Sequence, residues 1–448
     1  MSKRSFLRDH DSTSPAYFDG NSGQWFTRAD LASRVAVSAE QLTFRQKALG
    51  FIFARNDSDS LVAYLGAIEA GHAVVMLDAE LDGGFKSRLI SRFEPDFIVE
   101  PAKPIWRSRE PGRHFIHPDL TLLISTSGST GSPKLVRLSW RNLESNARSI
   151  NEVLSIGEHD RAIITAPIFN GYGLSVIHTH LLAGGSFVLT RDRIVSHSFW
   201  DTVRDSQCNS IGGTPYFYQV LDRLDLDSLN VPRLVKFIQI GGRLPENLAR
   251  KYHAAAVRRG GTFHIMYGQA EATARISGLP SELLPEAARS IGFALPGGRL
   301  SVDDEGELLY EGPNVMMGYA SSPRDFGEGN LLHGKLSTGD LGYVDQRGLF
   351  YITGRKARFV KLFGWRISLD DVEEMLSDAG PVAAVNEQDR IIVYCEHVDA
   401  RFSERVQTVA ARLRVHQSGF EVRAIGTIPR LANGKTDYHS LTLDPVAR

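Results

Sequence analysis

A loop rich in hydroxyl groups and glycine follows an apolar run in the first third of this chain. The segment STSGSTGSPK comes directly after residues 120–124 and ends at Lys134. Hydroxyl groups, a lysine and glycines whose bare backbone admits a ligand closely are suited to binding phosphate oxygens. The segment is not a Walker A loop, because two residues rather than four separate its glycines and Ser132-Pro133 stand before the lysine. It predicts a phosphate-binding loop, with an ordinary surface turn as the alternative.

Other clusters of residues able to do chemistry follow in order along the chain. They are Tyr267-Gly268-Gln269-Ala270-Glu271, Ser337-Thr338-Gly339-Asp340, Gly354-Arg355 with Lys361 and Gly364-Trp365-Arg366 beyond it, and Asn433-Gly434-Lys435. Carboxylates such as Glu271 and Asp340 can hold Mg²⁺ or accept hydrogen bonds from two hydroxyl groups. A lysine after an Asn-Gly turn is usually solvated surface, so Lys435 gains a function only through its motif.

The elements that must position these clusters alternate in type. Helical spacing alternates with short apolar runs through most of the first 296 residues, which predicts an α/β fold with mostly parallel sheets flanked by helices. From Gly297 the pattern changes to short strands separated by glycines, which predicts a small β-rich subdomain over residues 297–354. Residues 1–354 would form the N-terminal domain, and residues 355–448 a smaller α+β C-terminal domain.

Composition excludes several classes of function. The chain has 448 residues, of which 51 are Lys or Arg and 52 are Asp or Glu, so the net charge of −1 gives no basic excess for nucleic acid. The two cysteines are too few for a disulfide scaffold. Neither a secretory signal nor a membrane-spanning run is found, which predicts a cytoplasmic protein. The basic cluster of Lys356, Arg358, Lys361 and Arg366 lacks interleaved aromatic side chains, which disfavours a nucleic-acid patch.

Taken in order, the motifs resemble those of the adenylate-forming superfamily, which includes acyl-CoA synthetases, the adenylation domains of peptide synthetases, and luciferase. The resemblance extends from the loop before Lys134 to Lys435 and implies a C-terminal domain that rotates between two half-reactions. It implies that a carboxylate attacks the α-phosphate of ATP to give acyl-adenylate and pyrophosphate, and that a thiol then displaces AMP. ATP, Mg²⁺ and a small carboxylic acid are the expected reactants and cofactor, with CoA as the thiol, or alternatively a carrier protein's phosphopantetheine or an amine acceptor.

The resemblance also implies a role for each matched residue. The nucleotide site would consist of Thr126, Ser127, Gly128, Ser129, Thr130, Gly131 and Lys134 in the phosphate loop, Tyr267 against the adenine, Asp340 and Arg355 at the ribose, and also Gly241, Gly242, Gly268 and Gln269. Glu271 would hold Mg²⁺, Lys435 would bridge the carboxylate and the α-phosphate, and Lys361 would serve the second half-reaction. The acyl pocket would be lined by Phe169, Asn170, Gly171, Tyr172, Gly212, Thr214 and Arg243. The thiol would enter past Gly364 and Trp365.

Departures from the family pattern bear on activity and substrate. Ala270 replaces the usual threonine, so one hydroxyl expected beside the α-phosphate is missing, and Thr273 is a candidate substitute. Leu135 and Ala357 also depart from the pattern, which leaves a catalytically weak ligand-binding protein as an alternative. Residues 165–189 contain no Asp or Glu to pair with an α-ammonium group, so an α-amino acid is disfavoured. Arg243 is a candidate partner for a second carboxylate. The pair His178 and His180 suggests a metal site, but a packed pair is the better interpretation, because no third ligand is evident.

Overall fold

The computed structural model describes residues 5–7, 10–109, 111–125, 134–362, 365–387, 390–413, 415–431 and 434–442. Contacts divide the chain into two compact units, one formed by residues 1–300 and 310–336 and the other by residues 301–309 and 337–448. Residues 337–354 thus group with the C-terminal residues. The sequence-based boundary between residues 354 and 355 and the mobility of the C-terminal domain stay predictions.

Strands and helices alternate along much of the described chain. The strands are β1 Pro15–Asp19, β2 Gln24–Thr27, β3 Leu49–Ala54, β4 Ala73–Asp78, β5 Phe97–Val99, β6 Trp106–Arg107, β7 Leu120–Ser125, β8 Leu135–Ser139, β9 Arg161–Ile163, β10 Ser186–Leu189, β11 Ser210–Gly213, β12 Lys236–Gln239, β13 Thr262–Tyr267, β14 Ser277–Leu279, β15 Ser290–Ala294, β16 Arg299–Val302, β17 Glu307–Glu311, β18 Gly318–Ala320, β19 Lys335–Val344, β20 Phe350–Arg355, β21 Phe359–Leu362, β22 Trp365–Ser368, β23 Val382–Glu387, β24 Arg390–Cys395 and β25 Phe420–Ala424. The helices are α1 Arg28–Gln41, α2 Ser58–Glu69, α3 Gly83–Phe93, α4 Trp140–Leu154, α5 Gly171–Ala183, α6 His197–Asp205, α7 Pro215–Leu224, α8 Glu246–Arg258, α9 Leu284–Ala287, α10 Leu369–Leu376, α11 Ala400–Arg412 and α12 Tyr438–Thr442.

Two sheets organise the first unit. One has the strand order β18-β8-β7-β4-β3-β5-β6, in which β3 is parallel to β4 and β5, and β4 is parallel to β7. The other contains the order β15-β14-β13-β12-β11-β9-β10-β1-β2, with parallel pairing from β13 through to β1. Strands β3 and β4 are almost entirely buried, as expected for parallel strands covered on both faces.

Helices between the two sheets share one apolar core with both of them. Leu31 of α1, Leu61 of α2 and Ile177 of α5 lie in the same buried cluster as Ile52 of β3 and Phe187 of β10. Side-chain caps begin these helices: for example, Asp57 accepts a hydrogen bond from the Ser60 backbone at the start of α2. The α/β fold predicted from the sequence is confirmed.

The second unit has its own core and its own small sheets. Strands β23, β24 and β25 form a three-stranded sheet, and β21 pairs with β22. Apolar side chains of α10 and α11 pack in one cluster with those of β21, β22 and β24. Among the described residues, no helix is both long and apolar enough to cross a bilayer. The cytoplasmic location stays a prediction.

Candidate active site

The predicted site residues of the first unit gather at one edge of a sheet. Phe169 to Tyr172 follow β9, Gly212 and Thr214 lie at the end of β11, Gly241 to Arg243 follow β12, and Tyr267 to Glu271 begin in β13. These strands are parallel neighbours, so their carboxyl ends open at a common edge. In open α/β sheets this edge is where ligands bind.

The loop after β13 folds back on itself within a few residues. The Ile276 backbone N–H donates to the Tyr267 carbonyl oxygen at 2.8 Å, and a short 3₁₀ turn over residues 270–272 lies between them. Gly268 is required here, because a Cβ atom would overlap the Ala274 carbonyl oxygen and lie 2.6 Å from the Cα atom of Arg275. The motif glycine therefore serves a close approach of two backbone segments.

Thr273 is the strained residue of this loop. Its φ of +68° is unfavourable for a β-branched residue, and the residue is buried. Its hydroxyl donates to the Asn314 carbonyl oxygen at 2.7 Å, while Asn314 Nδ2 donates to the carbonyls of Ala272 and Arg275 at 3.0 and 2.9 Å. Asn314 thus holds the conformation. Because the Thr273 proton already has this partner, the structure gives no support to Thr273 as a substitute for the hydroxyl missing at Ala270.

Glu271 is held from two sides. Its backbone carbonyl accepts from Met316 N–H at 2.8 Å, and its Oε1 accepts from the Tyr319 hydroxyl at 2.9 Å. Burial, followed by the charge of Glu271, raises the pKa of Tyr319, so this hydroxyl stays a protonated donor at neutral pH. Within the described part of the chain, the Glu271 carboxylate makes no other hydrogen bond. Sequence reasoning did not single out Tyr319 for this role.

Lys134, at the end of the hydroxyl-rich loop, lies near Tyr319. Its Nζ lies 5.8 Å from the centroid of the Tyr319 ring, because β18 pairs with β8, where Tyr319 stands opposite Val136. Thr126, Ser127, Gly128, Ser129, Thr130 and Gly131 lie outside the described residues. The ends of their loop are fixed, since Ser125 of β7 pairs directly with Leu135 of β8. One cation, Lys134, and one carboxylate, Glu271, thus lie on either side of Tyr319 beside the predicted phosphate loop.

The predicted acyl-pocket residues that follow β9 lie beside the β13 loop, which Gly171 approaches closely. A Cβ atom on Gly171 would lie 2.8 Å from the Thr273 carbonyl oxygen, and one on Gly212 would overlap the Tyr172 hydroxyl. Phe169 packs on the core, and Asn170 caps α5 by accepting from the Gly173 backbone at 3.0 Å. Both glycines therefore leave the space into which neighbouring groups fit.

The residues after β11 and β12 lie between those that follow β9 and those that follow β13 along this edge. Thr214 caps α7 by accepting from the Phe217 backbone at 3.4 Å. The turn at Gly241 and Gly242 has positive φ values of 71° and 153° and is held by buried Gln239, whose Nε2 donates to the Gly242 carbonyl at 2.7 Å. The Arg243 side chain is exposed.

A buried arginine that sequence reasoning missed lies at the end of the β13 loop. Arg275 is 4% exposed, and its Nη1 donates to Ser175 Oγ at 2.8 Å. Its guanidinium carbon lies 4.8 Å from the centroid of the Tyr172 ring, in a cation–π contact. The sequence signal available was an arginine set among apolar residues, Ala274 and Ile276, directly after a motif.

In the second unit, the predicted ribose-binding residues meet across a strand pair. Asp340 of β19 stands opposite Arg355 of β20, and Arg355 Nε donates to Asp340 Oδ1 at 3.0 Å. Asp340 is buried, and the preceding Gly339 N–H donates to Glu307 Oε1 at 3.0 Å. The register of the two strands thus makes one site from two motifs that are 15 residues apart.

Lys435 lies on a tight turn in the second unit. The Leu431 N–H donates to the Lys435 carbonyl at 2.8 Å, and Gly434 takes a φ of +80°. The Lys435 side chain is exposed. The side chains of Lys361 and Trp365 and the whole of Gly364 lie outside the described residues. Their predicted roles therefore stay predictions.

Two alternative interpretations of the sequence lose support: a nucleic-acid patch in the basic cluster and a metal site at His178 and His180. Lys356 pairs with Glu305 and Glu307 at 2.8 and 3.0 Å, and Arg358 pairs with Asp370 and Glu373, so these cations are neutralised rather than presented to a polyanion. Burial lowers the pKa of His178 to about 3 and that of His180 to about 4. Across the described residues, no group of three or more potential metal ligands is found.

Comparison with known proteins identifies the class. Residues 100–320 match a family model described as AMP-binding enzyme. A D-alanine–D-alanyl carrier protein ligase from Staphylococcus aureus (strain Newman) is 27% identical over 350 residues, covering 70% of this chain and 70% of that protein. The ligase of the same description from Lactococcus lactis subsp. lactis (strain IL1403) is 28% identical over 390 residues, covering 78% and 76%.

Solved structures share the fold over nearly the whole chain. ATP-bound MatB from Rhodopseudomonas palustris has a TM-score of 0.78 at 21% identity and covers 98% of both chains. The o-succinylbenzoate CoA synthetase MenE from Bacillus subtilis, in complex with its acyl-adenylate intermediate, has a TM-score of 0.77 at 21% identity and covers 98% of this chain and 96% of that one. Residues 100–320 are an AMP-binding enzyme domain. The chain is an ATP-using adenylate-forming ligase, which confirms the resemblance predicted from the motifs.

Proposed function

We propose that this ligase activates a carboxylic acid that lacks an α-ammonium group and passes the acyl group to a phosphopantetheine thiol. In the first step a carboxylate oxygen bonds to the α-phosphorus of ATP and the bond to pyrophosphate breaks. In the second step the thiol sulfur bonds to the acyl carbon, AMP leaves with the electron pair of the broken bond, and the thiol proton goes to solvent. Both steps expel an anionic leaving group, so cationic side chains near the phosphates accelerate them.

The observation that carries the proposal is the row of Lys134, Tyr319 and Glu271. A cation and a carboxylate that is oriented by a hydroxyl stand together at the end of the predicted phosphate loop. Lys134 would attract the β- and γ-phosphates, and Tyr319 fixes the orientation of the carboxylate beside them. A hydroxyl-rich surface turn that served no ligand would not require this arrangement.

The Glu271 carboxylate fits a magnesium ion. Mg²⁺ prefers carboxylate and phosphate oxygens and is commonly held by one or two carboxylates together with the substrate's phosphates. Glu271 offers such an oxygen, since Tyr319 occupies only one oxygen of the carboxylate among the described residues. When bound there, the ion would neutralise the charge that develops on the leaving pyrophosphate.

The thiol acceptor is CoA or the phosphopantetheine of a carrier protein. The curated relatives at 27% and 28% identity are named carrier protein ligases, which favours the carrier. The predicted thiol entrance past Gly364 serves either acceptor, because both present the same arm. Incubation of the enzyme, ATP and acid with CoA in one reaction and with a pantetheinylated carrier in another separates the two by mass spectrometry of the thioester.

Electrostatics argue against D-alanine, the substrate named for those relatives. An ammonium group buried in the acyl pocket needs an anionic partner. Residues 165–189 supply no Asp or Glu, and the charged group buried at this edge is the cation Arg275. An α-ammonium would therefore meet repulsion where it needs a counterion.

Carboxylate-dependent release of pyrophosphate tests the proposal. The enzyme is incubated with ATP and Mg²⁺ over a panel of fatty, aryl, hydroxy, dicarboxylic and amino acids, with Lys435→Ala as the blank. Release with one class of acid supports the proposal and identifies the substrate class. If no acid causes pyrophosphate release while ATP still binds, the proposal is contradicted. That result would favour a catalytically weak ligand-binding protein, an alternative that Ala270 motivates.

A further inference from the structure

The turn that carries Lys435 is anchored on both sides in the core of the second unit. On one side, Ile428 is buried, and its backbone N–H donates to Glu396 Oε1 at 2.9 Å. On the other side, Tyr438 begins α12 and packs on the same apolar cluster that contains Ile428. Tyr438 comes three residues after Lys435 in the chain. Its position therefore limits where the exposed Lys435 side chain can lie.

Polar contacts fix the Tyr438 ring in addition to apolar packing. Its hydroxyl donates to Glu373 Oε2 at 2.9 Å, and the guanidinium carbon of Arg358 lies 3.8 Å from the centroid of the ring. Burial, followed by the charge of Glu373, raises the pKa of Tyr438, so its hydroxyl stays a protonated donor at neutral pH. The hydrogen bond fixes the end of the side chain, and the cation–π contact fixes the plane of the ring.

Glu373 of α10 is the centre of this cluster. Its Oε1 accepts from Arg358 Nη2 at 2.7 Å and from the Ala384 backbone N–H at 2.6 Å, while its Oε2 accepts from Tyr438. Arg358 also pairs with Asp370 of the same helix. The side chains of Arg358 and Glu373 are 15% and 18% exposed, so water has little access to them. The cluster thus joins the segment that follows β20, the helix α10 and the segment that carries Lys435.

Orientation explains this cluster better than stability does. Burial raises the pKa of Glu373, while the charge of Arg358 and the hydrogen bonds to the carboxylate oppose that rise, so the charged form is costly to bury. Well-packed apolar side chains of similar volume often stabilise a core as well as a buried ion pair does. Hydrogen bonds, in contrast, are strong only in a narrow range of angles. A carboxylate with several donors therefore holds one arrangement of the segments around it.

We propose that Tyr438, held by Glu373 and Arg358, positions Lys435 for adenylation. The inference rests on the proposed function, because it concerns the predicted role of Lys435 in the first half-reaction. That role requires the Lys435 ammonium to meet the carboxylate and the α-phosphate, and a small misplacement of such a group slows a reaction strongly. Tyr438, Glu373 and Arg358 are positioning residues, since they act through Lys435 rather than on the substrate.

Tyr438→Phe tests the inference, because it removes the hydrogen bond to Glu373 and keeps the ring beside Arg358. Pyrophosphate release is measured with the acid of the panel that gives the fastest release by the wild type. We expect kcat to fall roughly 10-fold, the lower end for a hydrogen bond to a charged group, since the other contacts of the ring persist. The KM for ATP and for the acid, and thiol transfer from supplied acyl-adenylate, should stay unchanged.

Tyr394→Phe is the matched control in the same unit. It removes a buried tyrosine hydroxyl that donates to the Leu441 carbonyl at 3.1 Å, near the other end of α12. Adenylation should survive this substitution, although a hydrogen bond of the same domain is lost. An equal fall of adenylation in Tyr394→Phe and Tyr438→Phe would overturn the inference, because both variants would then act through the stability of the domain.

A double-mutant cycle shows whether Tyr438 acts through Lys435. If it does, adding Tyr438→Phe to Lys435→Ala should cause no further loss of the residual adenylation. A further loss as large as the one in the wild-type background would overturn the inference, and so would an equal fall of adenylation and thiol transfer in Tyr438→Phe. If Tyr438→Phe does not fold, Glu373→Gln, which keeps the volume of the side chain without its charge, decides by the same measurements.

Failure of the inference and failure of the proposed function give different results. Pyrophosphate release by the wild type that is unchanged in Tyr438→Phe would overturn the inference alone. If the wild type releases no pyrophosphate with any acid of the panel, the proposed function and the inference are both overturned.

Discussion

Replacing Tyr319 with phenylalanine tests whether the hydroxyl that holds Glu271 contributes to adenylation. The substitution removes one hydrogen bond of 2.9 Å to a carboxylate and keeps the ring beside Lys134. A hydrogen bond to a charged group contributes about 1.5 to 3 kcal/mol when buried. Because Tyr319 is 40% exposed, water competes for the carboxylate and we expect about 1 kcal/mol, which is roughly a 5-fold loss.

The loss should be confined to the first half-reaction. Pyrophosphate release under kcat/KM conditions should fall about 5-fold in Tyr319→Phe, by the same conversion of about 1 kcal/mol, while transfer from supplied acyl-adenylate to the thiol stays unchanged. Tyr343→Phe is the matched control, because Tyr343 is also an exposed tyrosine and stacks on Tyr351 through its ring at 5.0 Å. Unchanged or increased adenylation in Tyr319→Phe, or an equal fall in both half-reactions, would refute the positioning role of the hydroxyl.

Three further predictions follow from other residues. Ala270→Thr should raise the rate of pyrophosphate release by roughly 10- to 150-fold if the missing hydroxyl limits adenylation, and no change would mean that another group already fills that role. Lys435→Ala should lose most adenylation and retain transfer from supplied acyl-adenylate, and equal loss in both steps would contradict its assignment. The neutral buried rings of His178 and His180 bind fewer protons folded than unfolded, so the free energy of unfolding should fall as pH drops below about 6.5 towards their folded values of about 3 and about 4, by up to about 1.4 kcal/mol per pH unit for each ring. Urea titrations across this pH range, compared with His178→Gln, check the slope, and an identical slope in the variant would contradict the prediction.

The contiguous motifs could be identified from the sequence because each consists of one loop beside one strand. Tyr267 to Glu271 follow β13 directly, and the hydroxyl-rich loop joins β7 to Lys134. In such cases residue types and local order carry most of the information, and alternation of apolar runs with helical spacing correctly predicted the α/β class. The comparisons then confirmed the resemblance that these motifs imply.

Contacts between residues far apart in the chain could not be predicted from the sequence. Tyr319 reaches Glu271 across 48 residues, and long-range contacts bring the two together: the Met316 backbone bonds to the Glu271 carbonyl, and β18 pairs with β8. The hydrogen bond from Arg355 to Asp340 likewise depends on a long-range contact, the register of β19 and β20. Arg275 was missed for another reason: a charged residue is normally assumed to be exposed, and only the fold shows that it is 4% exposed.

The β13 loop carries Glu271 and the buried Arg275 on one constrained turn. Glu271 and Arg275 lie at opposite ends of a turn whose backbone is held by Asn314 and strained at Thr273. Asn146 holds the same turn, since its Nδ2 donates to the Arg275 carbonyl at 2.8 Å. A change at Arg275 therefore acts on a backbone that also carries Glu271. For this reason Arg275→Met should lower the rate of adenylation as well as stability, because the position of Glu271 depends on the same turn and small misplacements of reacting groups slow a reaction.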